Sequence, residues 1–157
     1  MFWITYGELF LIPFFCALII FDFRTYTLPD YITLPLAGIA LLFEILINIQ
    51  HWYMPIIGAA VCSVLLLIIG LVISKKMNQE AIGGGDIKLA ISIGAVSGIM
   101  GGLFTITAAA ISALIYYLIT KKNTKIPFGA FMSIVVIFVI IIKILFPDIW
   151  KMVALCV

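Results

Sequence analysis

The sequence predicts an all-α fold: a polytopic membrane helix bundle of about six transmembrane helices with both termini outside. Composition is the first reason. Of 157 residues, 66% are hydrophobic and 10% charged, with a mean hydropathy of +1.34, whereas soluble domains run nearer half apolar and a quarter charged. Segmentation is the second, because the apolar residues gather into runs approaching the roughly 20 residues that a helical crossing needs. The third is the side on which the charges fall. At this length about six crossings leave little chain for anything else, so one domain, residues 1–157, is expected.

The predicted spans are Phe2–Phe21, Tyr31–Ile49, Tyr53–Ser74, Ile87–Gly98, Gly102–Thr120 and Pro127–Phe146. The first has no Lys or Arg ahead of it and no small-residue cleavage site behind it, so it reads as a retained span and not as a secretory signal. Ile87 to Thr120 is one apolar run, about 51 Å long as a single helix, which is too long for one ordinary crossing. Gly94, Gly98, Gly101 and Gly102 cluster near its middle and predict a tight turn between two short helices. Charge agrees. With the N-terminus outside, Arg24, Lys75, Lys76, Lys88, Lys121, Lys122 and Lys125 lie in the cytoplasm and only Lys143 and Lys151 outside, as the positive-inside bias requires. Lys88 and Lys121, at opposite ends of the long run, then share a side, which a hairpin allows and a single crossing does not. Lys121, Lys122 and Lys125 are read as setting topology and touching anionic lipid. Trp3, Trp52, Tyr53 and Trp150 fall where outer-interface anchoring predicts.

Several chemistries are excluded by inventory. Cys16, Cys62 and Cys156 form no C-x-x-C pair, so neither a zinc site nor a disulfide framework is indicated. The sole histidine, His51, lies in an outer loop, without the H-E-x-x-H cluster of a zinc protease. No base stands beside Ser97 to make it a nucleophile. No metal or organic cofactor and no nucleic-acid partner is expected.

What remains is carboxylates. Asp22, Asp30 and Asp86 all fall at the predicted cytoplasmic edge, and two of them, on separate spans, are positioned to meet. Asp86 follows Gly83, Gly84 and Gly85 in "IGGGDIKLA". Glycines permit backbone conformations closed to other residues, and irregular backbone is tolerated at membrane depth where it lines a cavity. The triplet therefore reads as room for an extended substrate strand beside Asp86. Phosphate binding is disfavoured, because no G-K-[ST] follows. Taken alone, Asp30 beside Pro29 reads as a helix N-cap, and Asp22 as a juxtamembrane charge paired with Arg24. Taken together, Asp22 and Asp86 form a pair that cannot both ionise cheaply and so hold one proton between them. The ionised member can deprotonate an attacking water while the protonated one polarises a peptide carbonyl. Lys88 either acts on Asp86, binds an acidic substrate group or snorkels to the interface. Glu8 and Glu44 lie about 9 Å inside the outer ends of their spans. There an unpaired charge is costly, so protonation, mutual contact or a polar partner is expected.

Three stretches in order resemble the type IV prepilin peptidases, membrane aspartic proteases with a G-x-G-D signature. "FDFRTYTLPDYITLP" is similar to the family's first-aspartate segment, and "GGGDIKL" to its second, with Gly83 and Gly85 as the signature glycines. "IPFGAFMS" is similar to its Ile-Pro-Phe-Gly-Pro segment, with Pro127 and Gly129 retained and Ala130 in place of proline. The resemblance implies that Asp22 and Asp86 are the catalytic pair, without cofactor, in a multi-pass protein of the cell's inner (cytoplasmic) membrane with its active site at the cytoplasmic face. It implies prepilin or pseudopilin precursor substrates, cut just before a hydrophobic helix that docks in a gap between the first, second and fourth spans. Many bacterial relatives add an N-terminal region with two C-x-x-C pairs and a methyltransferase activity; those cysteines are absent from this sequence, so peptidase activity without methylation is expected. Presenilin-type proteases share G-x-G-D but not the Leu-Pro-Asp context. A small transporter or ion relay using the paired aspartates is the alternative, and an inert assembly factor a third reading.

Overall fold

In a bilayer the backbone must satisfy its own hydrogen bonds, and helices are the local solution. The computed structural model describes residues 7–47, 49–77, 82–120 and 126–146. The predicted outer anchors Trp3 and Trp150, the residues Lys121, Lys122, Lys125, Lys151 and Cys156, and the side chain of Lys76 lie outside the described residues. A 3-10 turn, Gly7–Leu11, leads into α1 (Ile12–Thr25), which opens with Pro13 near its first position, where the missing N–H costs nothing. There follow α2 (Asp30–Ile47), a short 3-10 turn (Ile49–His51), α3 (Tyr53–Met77), α4 (Gly84–Thr120) and α5 (Phe128–Leu145).

Among the described residues, four helices are long and apolar enough to cross a membrane: Asp30–Ile47, Tyr53–Lys75, Gly84–Thr120 and Phe128–Leu145. The coarse expectation, an all-helical integral membrane protein, stands on these; the count of about six crossings does not follow from them. Of the predicted first span, residues 2–6 lie outside the described residues, Gly7–Leu11 forms the 3-10 turn, and α1 proper begins at Ile12. The predicted fourth and fifth spans fall in the two halves of α4, on either side of Gly98.

That element is broken where the glycines cluster. Gly98 has φ 68° and ψ −172°, a conformation essentially reserved for glycine. The break is sharp. A Cβ placed on Gly102 would lie 3.4 Å from the Cα of Gly94, whereas residues eight apart in a straight helix are separated by about 12 Å.

α4 sits at the centre, packed on α3, α5 and α2, while α1 packs chiefly on α5. Small residues let α3 and α4 approach closely, as is usual between helices in lipid. A Cβ on Gly58 would collide with the Gly94 carbonyl oxygen, a Cβ on Gly94 with that of Gly58, and a Cβ on Gly102 with the Cys62 sulfur. The opposite face of α3, including Ile57, Val64 and Ile68, is exposed and suits contact with acyl chains. Trp52 and Tyr53 are exposed at the α2–α3 connection and pack edge to face.

The two inner glutamates find a polar partner. Lys143 on α5 contacts Glu8 at 2.6 Å and Glu44 at 3.6 Å, and both carboxylates are buried. Their own side chains also interact with each other.

The α3–α4 crossing makes a prediction. Gly94→Leu should lower stability by roughly 1–3 kcal/mol through overpacking. Gly38→Ala, with open space at its Cβ, should be neutral or stabilise by up to about 1 kcal/mol. Thermal unfolding in detergent micelles compares the two.

Candidate active site

Four helix ends meet on one side of the bundle: the last turn of α1 and the first turns of α2, α4 and α5. Asp22 stands on the last turn of α1. The helix is terminated by Tyr26, which takes a left-handed conformation (φ 52°) and donates its N–H to the Asp22 carbonyl at 2.9 Å. This is the usual helix-ending geometry, here without glycine. The Asp22 side chain is buried, at 4% exposure.

Its carboxylate is held by the start of α5. Pro127 caps that helix, and Pro has no N–H of its own to leave unsatisfied. The first helical N–H groups have no partner within the helix, and Ala130 donates its N–H to Asp22 Oδ2 at 2.6 Å, with the Gly129 N–H contributing beside it. A carboxylate at a helix N-terminus meets both the free donors and the positive end of the helix dipole.

Asp86 reaches the same place from α4. Its N–H donates to the Gly83 carbonyl at 3.1 Å, closing the first turn, and its side chain interacts through charge with Asp22. A Cβ on Gly129 would lie 2.9 Å from Asp86 Oδ1 and 2.6 Å from Leu28 Cδ1. The start of α5 thus presents the Ala130 N–H to one carboxylate and the bare Cα of Gly129 to the other.

The other singled-out residues divide. Asp30 is the first residue of α2, but the cap is Pro29, whose carbonyl accepts from Ile32 and Thr33 at 3.1 and 3.2 Å. The expected Asp30 N-cap is displaced by one position, because the side chain turns outward to Lys88. That pair, at 2.6 Å, ties α2 to α4 and occupies Lys88 away from Asp86. Arg24 is exposed in the last turn of α1 and, among the described residues, forms no ion pair with Asp22 or any other carboxylate; the α5 backbone takes that role.

The three glycines are not equivalent. A Cβ on Gly85 would strike Leu28 Cβ at 2.6 Å, one on Gly83 would make ordinary contact with Asp86 Oδ2 at 3.5 Å, and one on Gly84 would meet nothing within 4 Å. Gly85 makes room first for the protein's own α1–α2 loop. A cleft of about 380 Å³ opens beside the triplet, lined by Leu67, Gly70, Leu71, Ser74, Ile82, Gly84 and Ile87. It lies between α3 and α4.

Sequence reasoning missed Leu28 and the Ala130 N–H. The first carried no signal. The second was within reach, since Pro127 at a helix start marks an N-terminus able to bind an anion. Among the described residues, no group of three His, Cys, Asp or Glu side chains is arranged to hold a metal.

Fold and site together define a membrane helix bundle carrying a carboxylate pair at one end. The chain belongs to the type IV leader peptidase family, whose model matches residues 9–118. It is similar to the prepilin leader peptidase/N-methyltransferase of Xanthomonas campestris pv. campestris, at 31% identity over 142 residues, covering 84% of this chain and 48% of that protein. The protein of that name from Pectobacterium carotovorum subsp. carotovorum is 30% identical over 135 residues, covering 82% and 48% respectively. That of Neisseria gonorrhoeae is 28% identical over 138 residues, covering 84% and 47%. The chain thus spans about half the length of these curated relatives. No solved structure matches it.

The glycine geometry predicts a graded series. Gly85→Ala and Gly129→Ala, whose added Cβ would meet Leu28 at 2.6 Å, should each lower stability by roughly 1–3 kcal/mol through overpacking. Gly84→Ala, with open space at its Cβ, should stay within about 0.5 kcal/mol of wild type. Thermal unfolding in detergent micelles compares the three.

Proposed function

We propose that this chain is a membrane aspartic endopeptidase that removes the leader peptide from type IV prepilin-like or pseudopilin precursors at the cytoplasmic face of the inner membrane. The observation that carries the reading is the convergence of Asp22 and Asp86 on the N-terminus of α5 around Gly129. Membership of the leader peptidase family supports the reaction class. The relatives' names supply the precursor as substrate; the proposal covers peptide cleavage alone.

In this mechanism the two carboxylates share one proton. The ionised member takes a proton from water as the water oxygen bonds to the scissile carbonyl carbon. The protonated member hydrogen-bonds the carbonyl oxygen as negative charge builds there. Collapse of the tetrahedral intermediate breaks the C–N bond, and the amine leaves with a proton returned from the dyad. The Ala130 N–H fixes one oxygen of Asp22, leaving the other for this chemistry. The scissile segment must be extended, because helical hydrogen bonding would occupy its carbonyl. Cytoplasmic sidedness rests on the bias of Arg24, Lys75 and Lys88 toward this end of the bundle.

An ion relay would need polar groups leading across the bundle. At the helical levels between the two carboxylate clusters stand fully buried Phe15, Leu18, Ile93, Val136 and Ile140, with the hydroxyls of Thr33, Ser92 and Ser133 and, among the described residues, no buried acidic or basic side chain. The lack of a charged group at those levels favours the peptidase.

Purified protein incubated with a panel of prepilins should cut one bond, read by mass spectrometry. Asp22→Asn and Asp86→Asn should each lower the rate by roughly 100- to 10,000-fold, the range of general acid–base contributions. Neither should unfold the protein, because the amide oxygen introduced by Asp22→Asn can still accept from the Ala130 N–H. Undiminished cleavage by both variants would sink the mechanism.

A further inference from the structure

The end of the bundle away from the aspartates holds a second polar cluster that the proposed chemistry does not use. Lys143 Nζ lies 2.6 Å from Glu8 Oε1 and 3.6 Å from Glu44 Oε1, and donates to the Val96 carbonyl at 2.9 Å. The lysine side chain is 18% exposed and each glutamate 3%.

Each contact belongs to a different segment, and each segment leads to the site. Glu8 precedes α1, whose last turn bears Asp22. Glu44 lies near the end of α2, whose first residue, Asp30, pairs with Lys88. Val96 ends the half of α4 that begins beside Asp86, and Lys143 itself ends the helix whose first turn holds Asp22. The Val96 contact has a local cause. The break at Gly98 leaves carbonyls of the preceding turn without helical donors, and a cation is the favoured partner for a helix C-terminus.

We propose that Lys143 is a positioning residue for the reaction: one buried ammonium gathers the far ends of the segments that carry Asp22, Asp86 and Ala130 and so sets how those groups meet. The proposal rests on the peptidase reading for its activity readout and on geometry alone for its structural one. The lever is long enough to matter. Over the roughly 21 Å of helix between Gly129 and Lys143, a tilt of about 3° moves the far end by about 1 Å. A misplacement of about 1 Å can cost roughly 100-fold in rate. Without the lysine the two buried carboxylates lose their cation, since removing one partner of a buried ion pair strands the others, whereas replacing all of them with neutral groups is tolerated.

The test uses the full chain with Cys16, Cys62 and Cys156 replaced by alanine and with Phe23→Cys and Phe131→Cys introduced. Those two rings pack 6.2 Å apart, centroid to centroid, next to Asp22 and Ala130. The rate of bridging by a short bis-methanethiosulfonate reads the α1–α5 apposition, and prepilin cleavage is measured in parallel on the proteins that retain Phe23 and Phe131. Lys143→Met should lower both the bridging rate and kcat by roughly 10-fold or more, with KM within about 3-fold, because orientation and not affinity is lost. Lys143→Arg, which keeps the charge, should restore most of both. The neutral triple variant Glu8→Gln/Glu44→Gln/Lys143→Met leaves no stranded charge and should fold even if Lys143→Met does not, while showing the same two losses. Wild-type bridging and kcat in the folded triple variant would overturn the proposal, as would a rise in KM at unchanged kcat. If wild type cut no precursor while bridging still fell in Lys143→Met, the positioning role would stand and the peptidase reading would fail.

Discussion

A carboxylate on the last turn of α1 is held by the unsatisfied N–H groups at the start of α5, 108 residues further along the chain. Most of the site follows from this contact. An aspartate buried at the end of an apolar helix needs donors, and a helix N-terminus needs an acceptor; each removes the other's cost. The contact brings the first and last described helices together at one end of the bundle. It also leaves the Cα of Gly129 facing the second aspartate.

The glycine-rich entry to α4 belongs to the same geometry. Gly85 admits Leu28 from the α1–α2 loop, and Gly129 admits both Leu28 and Asp86 Oδ1. One leucine therefore fills the space between two glycines from distant parts of the chain, and the absence of two side chains defines how closely the carboxylates approach. The ion pair between Asp30 and Lys88 closes the rim on the α2 side. Being largely exposed, such a pair contributes at most about 1 kcal/mol, and its effect is on the orientation of the α2 and α4 entries.

The charged side chains of the described bundle gather at its two ends. At one, Asp22 and Asp86 meet helix N-termini; at the other, Lys143 contacts Glu8, Glu44 and a freed carbonyl. Between them stand fully buried Phe15, Leu18, Ile93, Val136 and Ile140, together with the buried hydroxyls of Thr33, Ser92 and Ser133. The break at Gly98 connects the two ends, because it both ends the half-helix that starts beside Asp86 and exposes the carbonyl that Lys143 takes.

Much of this was legible in the sequence, and for local reasons. Hydropathy marks the helices because the bilayer acts on each segment independently. The turn at Gly98 is legible because only glycine takes that backbone conformation, and the candidacy of Asp22 and Asp86 because carboxylates are costly wherever apolar spans begin and end. What the tertiary structure alone decided is how each helix is rotated and which neighbour it meets. Lys88 turns to Asp30, Asp22 to a backbone N–H instead of Arg24, Lys143 inward to two glutamates, and the cleft opens between α3 and α4. Such pairings depend on the rotation and depth of one helix against another, and interdigitating side chains from the whole bundle set these. No stretch of the chain encodes them by itself.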